Sequence, residues 1–66
     1  IDFIKIDAEG HEFNILEGAK KVITKYKPII IIEVFKKNRS NLEEWCMYNS
    51  YLKEHKRGDD YLLIPI

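Results

Sequence analysis

An α/β fold built on a parallel pair of strands is what the sequence predicts, and three observations carry that expectation. Two β-branched, apolar segments, 1–7 and 29–35, flank a stretch with helical periodicity. The second segment is almost continuously apolar, as strands of parallel sheets are. A glycine-containing turn and Pro28 mark the two changes of period. Strand, helix and strand together form a βαβ unit, for which a right-handed crossover is expected.

The first strand, Ile1-Asp2-Phe3-Ile4-Lys5-Ile6-Asp7, stops at the polar turn Ala8-Glu9-Gly10-His11. Phe13, Leu16, Val22, Ile23 and Tyr26 then recur at spacings compatible with one apolar helix face. Glu9 and Glu12 near the helix start and Lys25 and Lys27 near its end suit the helix dipole. Gly18 either weakens one helix or divides two short ones. Pro28 ends the helix and should push Lys27 toward extended geometry. Ile29-Ile30-Ile31-Ile32-Glu33-Val34-Phe35 is expected to be a strand covered on both faces. Ser40 or Asn41 can cap a further helix, with Glu43 and Glu44 in its first turn. Its partial apolar face would be Leu42, Trp45, Cys46, Asn49 and Leu52. Residues 49–55 either continue that helix or form a strand that turns back at Arg57-Gly58-Asp59. Tyr61-Leu62-Leu63-Ile64 is a strand in both readings, with Pro65 tolerated only at its edge or end. No internal repeat or low-complexity linker interrupts the chain.

With 66 residues the chain is one small domain or a piece of a larger one. A domain of this size buries only about 60% of its unfolded surface and usually needs a staple. Cys46 is the single cysteine, which excludes an internal disulfide and leaves too few ligands, with His11 and His55, for a four-ligand structural zinc. The start at Ile1, inside an apolar run, is expected of a fragment. Eleven basic and eleven acidic residues give no electrostatic footprint for nucleic acid. No signal peptide is visible. Ile29–Ile32 falls far short of the ~20 apolar residues of a membrane helix. One cysteine fits a reducing, cytoplasmic setting.

Open α/β sheets bind ligands beyond the carboxyl ends of their strands. Asp7 closes the first strand and Glu33 stands near the end of the second, so neighbouring strands would bring the two acids to one crevice. Glu9 and His11 would lie at its mouth. A carboxylate or neutral imidazole there can act as general base on a hydroxyl, and Asp7, Glu9 and His11 could also hold a divalent metal. Plainer roles compete: Asp7 as a helix cap, Glu33 as a satisfied acid near the sheet edge, His11 as a surface residue. Gly10 serves the turn through positive φ or close approach of a ligand. Trp45, Tyr48 and Tyr51 read as packing aromatics, and Cys46 as a small buried hydrophobe.

The run Ile4-Lys5-Ile6-Asp7-Ala8-Glu9-Gly10-His11-Glu12, followed by Ile15-Leu16-Glu17-Gly18-Ala19, resembles the FkbM methyltransferase family. Its pattern is K-I-D-x-E-G-x-E, an apolar pair and x-G-A, then a helix and K-P-x-I-x-x-E, here Lys27-Pro28-Ile29-Ile30-Ile31-Ile32-Glu33. Asp60-Tyr61-Leu62-Leu63-Ile64-Pro65 is similar to the family's last strand. The resemblance covers nearly the whole chain, and the two motifs at this spacing are fairly specific. It implies the C-terminal part of a Rossmann-like class I methyltransferase sheet, with 1–7 as the fourth strand and 28–35 as the fifth. It favours a sixth strand over 49–55, in a C-terminal hairpin.

The activity implied is S-adenosylmethionine-dependent O-methylation of a sugar or other small-metabolite hydroxyl. Asp7 aligns with the acid beside the transferring methyl group, and Glu33 with the acid after the fifth strand. Glu9, Gly10, His11 and Glu12 fall on the substrate side. Ala8 is a mild variation on the motif. The cofactor-binding half is not represented: the three glycines, at 10, 18 and 58, form no G-x-G. The chain alone is therefore expected to need its N-terminal half or a partner chain, and to be inactive without it. The competing expectations are a non-catalytic α/β remnant completed by a partner chain, and a metal-dependent hydrolase fragment using Asp7, Glu9 and His11.

Overall fold

The computed structural model describes residues 3–7 and 10–66. In chain order these form β1 (Phe3–Ile6), α1 (Glu12–Gly18), α2 (Lys20–Tyr26), β2 (Ile29–Glu33), a 3-10 turn (Lys36–Asn38), α3 (Arg39–Asn49), β3 (Tyr51–Arg57) and β4 (Asp60–Pro65). The four strands make one sheet in the order β1-β2-β4-β3. β1 and β2 are parallel, with Phe3 opposite Ile29 and Ile6 opposite Ile32. β4 runs antiparallel to both β2 and β3, so the C-terminal hairpin docks through its second strand.

The expected helix is two, joined at Ala19. Gly18 ends the first, but the hydrogen-bond ladder crosses the joint: Ala19 N donates to Ile15 O and Ile23 N to Ala19 O, both at 2.9 Å. Lys27 departs from the extended geometry expected before a proline. It takes the left-handed conformation (φ 47°, ψ 56°) and caps α2 through its N–H to Ile23 O. Such a conformation costs a non-glycine residue about 1–3 kcal/mol. Tertiary contacts of the same side chain offset it: Lys27 Nζ donates to Asn49 O at 2.7 Å and lies 4.6 Å over the Tyr51 ring.

α3 starts earlier than Ser40 or Asn41 would have it. The 3-10 turn, closed by Asn38 N donating to Phe35 O at 2.8 Å, delivers the chain into helix at Arg39 with Asn38 at the N-cap position. α3 ends at Asn49, where Ser50 is left-handed (φ 59°) and β3 begins directly after it. Residues 51–57 are thus strand, and Leu52 leaves the helix face that periodicity suggested. Gly58, with φ 55°, turns β3 into β4. Pro65 is the last residue of β4, opposite Tyr51.

The three helices supply Leu16, Ile23, Leu42 and Cys46 to a single core with Ile6, Ile30, Ile32, Val34, Tyr51, Tyr61 and Leu63. The buried Tyr51 hydroxyl donates to Pro28 O at 2.6 Å, so its polar tip is satisfied. Trp45 stacks on Tyr51 with centroids 5.3 Å apart, while Tyr48 is 81% exposed and stands outside the aromatic cluster expected from sequence. The expectation that β2 is covered on both faces is corrected. Ile30 and Ile32 are buried, yet Ile29 and Ile31, on the opposite face, are exposed. The reason is that α1, α2 and α3 all feed one core on one face. Phe3 and Leu52 share the open face with Ile29 and Ile31.

Candidate functional site

β1 and β2 end side by side. Their last paired residues are Ile6 and Ile32, so the next residue on each chain is an acid, Asp7 and Glu33. β4 continues the row, because its first residue, Asp60, is the partner of Glu33. Val34 N donates to Asp59 O at 2.8 Å and holds the β3–β4 turn against the end of β2. Strand alternation decides where the side chains point. Ile6, Ile32 and Tyr61 belong to the core, so their neighbours Asp7, Glu33 and Asp60 belong to the open face.

A cavity of about 530 Å³ opens there, lined by Lys5, Asp7, Ile31, Glu33, Lys56, Asp60, Tyr61 and Leu62. It lies at the carboxyl ends of the two parallel strands, where open α/β sheets place ligands. Its floor is apolar, from Ile31 and Leu62, and its rim carries three carboxylates against two ammonium groups. Asp7 and Asp60 are exposed and Glu33 is half-buried. Lys56 reaches across to Glu54 on its own strand. Carboxylates in such a row can accept hydrogen bonds from several hydroxyls, or a proton from one, while the apolar floor suits the C–H face of a small molecule.

The structure thus brings Asp7 and Glu33 to one cavity. The other described residues expected at the site stand apart. Gly10 is exposed with φ 83°, and a Cβ there would meet nothing within 4 Å, so the position requires a glycine for its backbone and not for space. His11 is exposed at the N-cap position of α1, where its carbonyl accepts from Ile15 N at 3.0 Å. Glu12 is 1% exposed and lies in the interior, off the cavity. Glu9 lies outside the described residues. Among the described residues no three His, Cys, Asp or Glu side chains are grouped to hold a metal.

Asp60, Lys5 and Lys56 were not singled out from the sequence. The missing signal was register: Asp60 joins the site only because β4, not β3, pairs with β2. Cys46 sits deep behind the sheet at 5% exposure, and burial pushes its thiol up to about 11, which removes it from nucleophilic chemistry at neutral pH. No described helix is long and apolar enough to cross a membrane.

A mixed sheet with its helices on one face, and acids at the ends of its two parallel strands, makes this an α/β domain. The model of the methyltransferase FkbM domain matches residues 1–61, and the chain belongs to that family. No curated protein matches the chain, nor does any solved structure.

Proposed function

We propose that the protein carrying this chain transfers a methyl group from S-adenosylmethionine to a hydroxyl of a sugar or other small metabolite, and that the cavity beyond β1 and β2 is its acceptor side. The observation that carries this reading is the meeting of Asp7 and Glu33 in one cavity at the ends of two parallel strands. Membership of the FkbM family supports it. The sheet order β1-β2-β4-β3, a parallel pair joined to an antiparallel C-terminal hairpin, supports it too.

S-adenosylmethionine, when bound, supplies an electrophilic methyl group. Asp7 orients the acceptor hydroxyl and takes its proton as the oxygen is alkylated. Glu33 and Asp60 accept hydrogen bonds from neighbouring hydroxyls, and Ile31 and Leu62 contact the carbon skeleton. Holding the hydroxyl in line supplies much of the rate. The carboxylate row suits the reacting end of the cofactor, but the described residues offer no glycine-rich turn for its nucleoside. That part of the cofactor falls to residues outside this stretch, and these 66 residues alone are expected to be inactive.

The test is to incubate the full-length protein with methyl-labelled S-adenosylmethionine and a panel of sugars and polyols. Label recovered as an acceptor methyl ether is expected. Asp7→Asn should lower the rate by about 10²–10⁴-fold, the range for loss of a general base, with the fold intact by circular dichroism. Undiminished transfer in that variant would remove Asp7 from the mechanism. A second reading, a non-catalytic module completed by a partner chain, draws on the open apolar face at Phe3, Ile29 and Leu52. It gains if the full-length protein binds no S-adenosylmethionine.

A further inference from the structure

Among the described residues Glu12 is the buried charged side chain, 1% exposed. A carboxylate in that position is costly unless it is paired. Its Oε1 accepts one long hydrogen bond, from Asn38 Nδ2 at 3.4 Å, and its Oε2 has no hydrogen-bond partner among the described residues. Arg39, next along the chain from Asn38, also buries its Nε without a hydrogen bond. Asn38 holds the N-cap position of α3, where an asparagine side chain ordinarily accepts a backbone N–H from the first turn. No such bond forms here. Among the described residues Glu12 is thus under-satisfied, and Asn38 leaves its helix without a side-chain cap while reaching it. Two local rules broken at one contact point to a constraint that is not local.

The placement supplies that constraint. Glu12 opens α1 five residues after Asp7, and Asn38 closes the 3-10 turn five residues after Glu33. The contact therefore joins the segments that leave β1 and β2, each five residues beyond an acid that lines the cavity. We propose that Glu12 and Asn38 form a clasp that fixes the spacing of Asp7 and Glu33, which makes Glu12 a positioning residue and not a substrate contact. Its catalytic consequence rests on the reading of Asp7 and Glu33 given above; the clasp itself does not. Asn38 stands at the N-cap of α3, so the carboxylate it reaches lies by the positive end of that helix.

The experiment is hydrogen exchange on the full-length protein, read over Gly10–Phe13 and Val34–Arg39, with methyl transfer measured alongside. Asn38→Asp sets two carboxylates face to face and should speed exchange in both segments by about tenfold, as expected when a hydrogen bond to a charged group is lost. Glu12→Gln paired with Asn38→Asp restores a bond of reversed polarity, amide donating to carboxylate, and should return both segments to within about twofold of the parent. In the transfer assay Asn38→Asp should lower kcat with KM nearly unchanged, and the double variant should regain kcat. Faster exchange confined to the 34–39 segment, or no recovery in the double variant, overturns the clasp. So does Glu12→Gln raising KM at constant kcat, the signature of a substrate contact. If Asn38→Asp fails to fold, Asn38→Ala, which only removes the donor, gives the same two-segment readout. If the protein transfers no methyl group, the exchange result still decides the clasp, and only the functional reading falls.

Discussion

The two faces of the sheet are built from alternate residues of the same apolar runs, yet they do different work. Ile30, Ile32 and Leu63 are at most 1% exposed beneath the helices, whereas Ile29 and Ile31, one residue away along β2, are open. The covered face holds the molecule together; the open face carries the cavity at its charged end. Apolarity alone therefore does not tell which face is packed. What decides it is which side the connecting helices take, and here α1, α2 and α3 all take the same one.

The sharpest way to break this comparison is a matched pair on β2. Ile32→Ala removes a side chain 1% exposed and should cost about 2–5 kcal/mol, the range for large-to-small changes in a packed core. Ile31→Ala removes the same atoms from the open face and should cost about 1 kcal/mol or less. Urea unfolding of both variants with an unchanged m value is the measurement. Equal losses would mean that the open face is covered in the folded protein, and the contrast between the faces would disappear.

The same contrast explains what could be read in advance. The βαβ unit was legible because its signals are local: β-branched runs, a glycine turn, a proline stop. Asp7 and Glu33 were legible as neighbours because parallel strands joined by one helix put equivalent ends together. Glu12 was not, since a motif glutamate on a short helix gives no sign of which way it turns, and only the folded structure shows it buried and in contact with Asn38. The early start of α3 was hidden by a 3-10 turn without a clear sequence signature. A strand over 49–55 was left open by periodicity and favoured only by the resemblance; the strand found spans Tyr51–Arg57. Tyr51 settles it by packing and bonding to Pro28 O, a contact between residues far apart in the chain. Lys27 likewise broke the rule for residues before proline because tertiary hydrogen bonds outweighed a local preference.

A smaller effect comes from the covered face alone, at Cys46. Burial raises its thiol from an ordinary 9.0 to about 11, ahead of an opposing contribution from Lys53. The sign follows from linkage. A raised folded value means that the folded state holds the proton more tightly, so stability is fully present below pH 9.0 and is lost as pH climbs to about 11. A rise from 9.0 to about 11 corresponds to at most on the order of 2–3 kcal/mol. Burial also pushes the Tyr51 phenol up, so the alkaline loss must be measured as a difference. Cys46→Ala should flatten the stability profile between pH 9 and 11 relative to the parent. At pH 7.5 the parent thiol should react with iodoacetamide far more slowly in the folded than in the urea-unfolded protein. Equal rates would place Cys46 at the surface.

The smallest effect expected is at the rim between α3 and β3. Lys53 Nζ bonds Glu43 Oε1 at 2.9 Å, with the glutamate largely exposed, and this partner holds the Glu43 carboxyl below its ordinary value. A lowered folded value gives stability that is present above the ordinary glutamate range and is lost as pH falls through the folded value. Solvent screens so exposed a pair, so Glu43→Gln should barely move the unfolding midpoint at pH 7, and 1 M salt, with a Debye length of about 3 Å, should erase the difference. Lys53 is unequal to its partner. It is half-buried, pairs across the sheet with Leu63, and sets its ammonium 5.5 Å over the Tyr61 ring. Lys53→Ala should therefore cost more than Glu43→Gln, and Lys53→Met, which keeps the aliphatic stem, should recover most of the difference. That ordering holds only if the stem of Lys53 covers the packed face. A loss as large in Glu43→Gln as in Lys53→Ala would assign the contribution to the ion pair instead, and would make this corner of the covered face electrostatic and not apolar in origin.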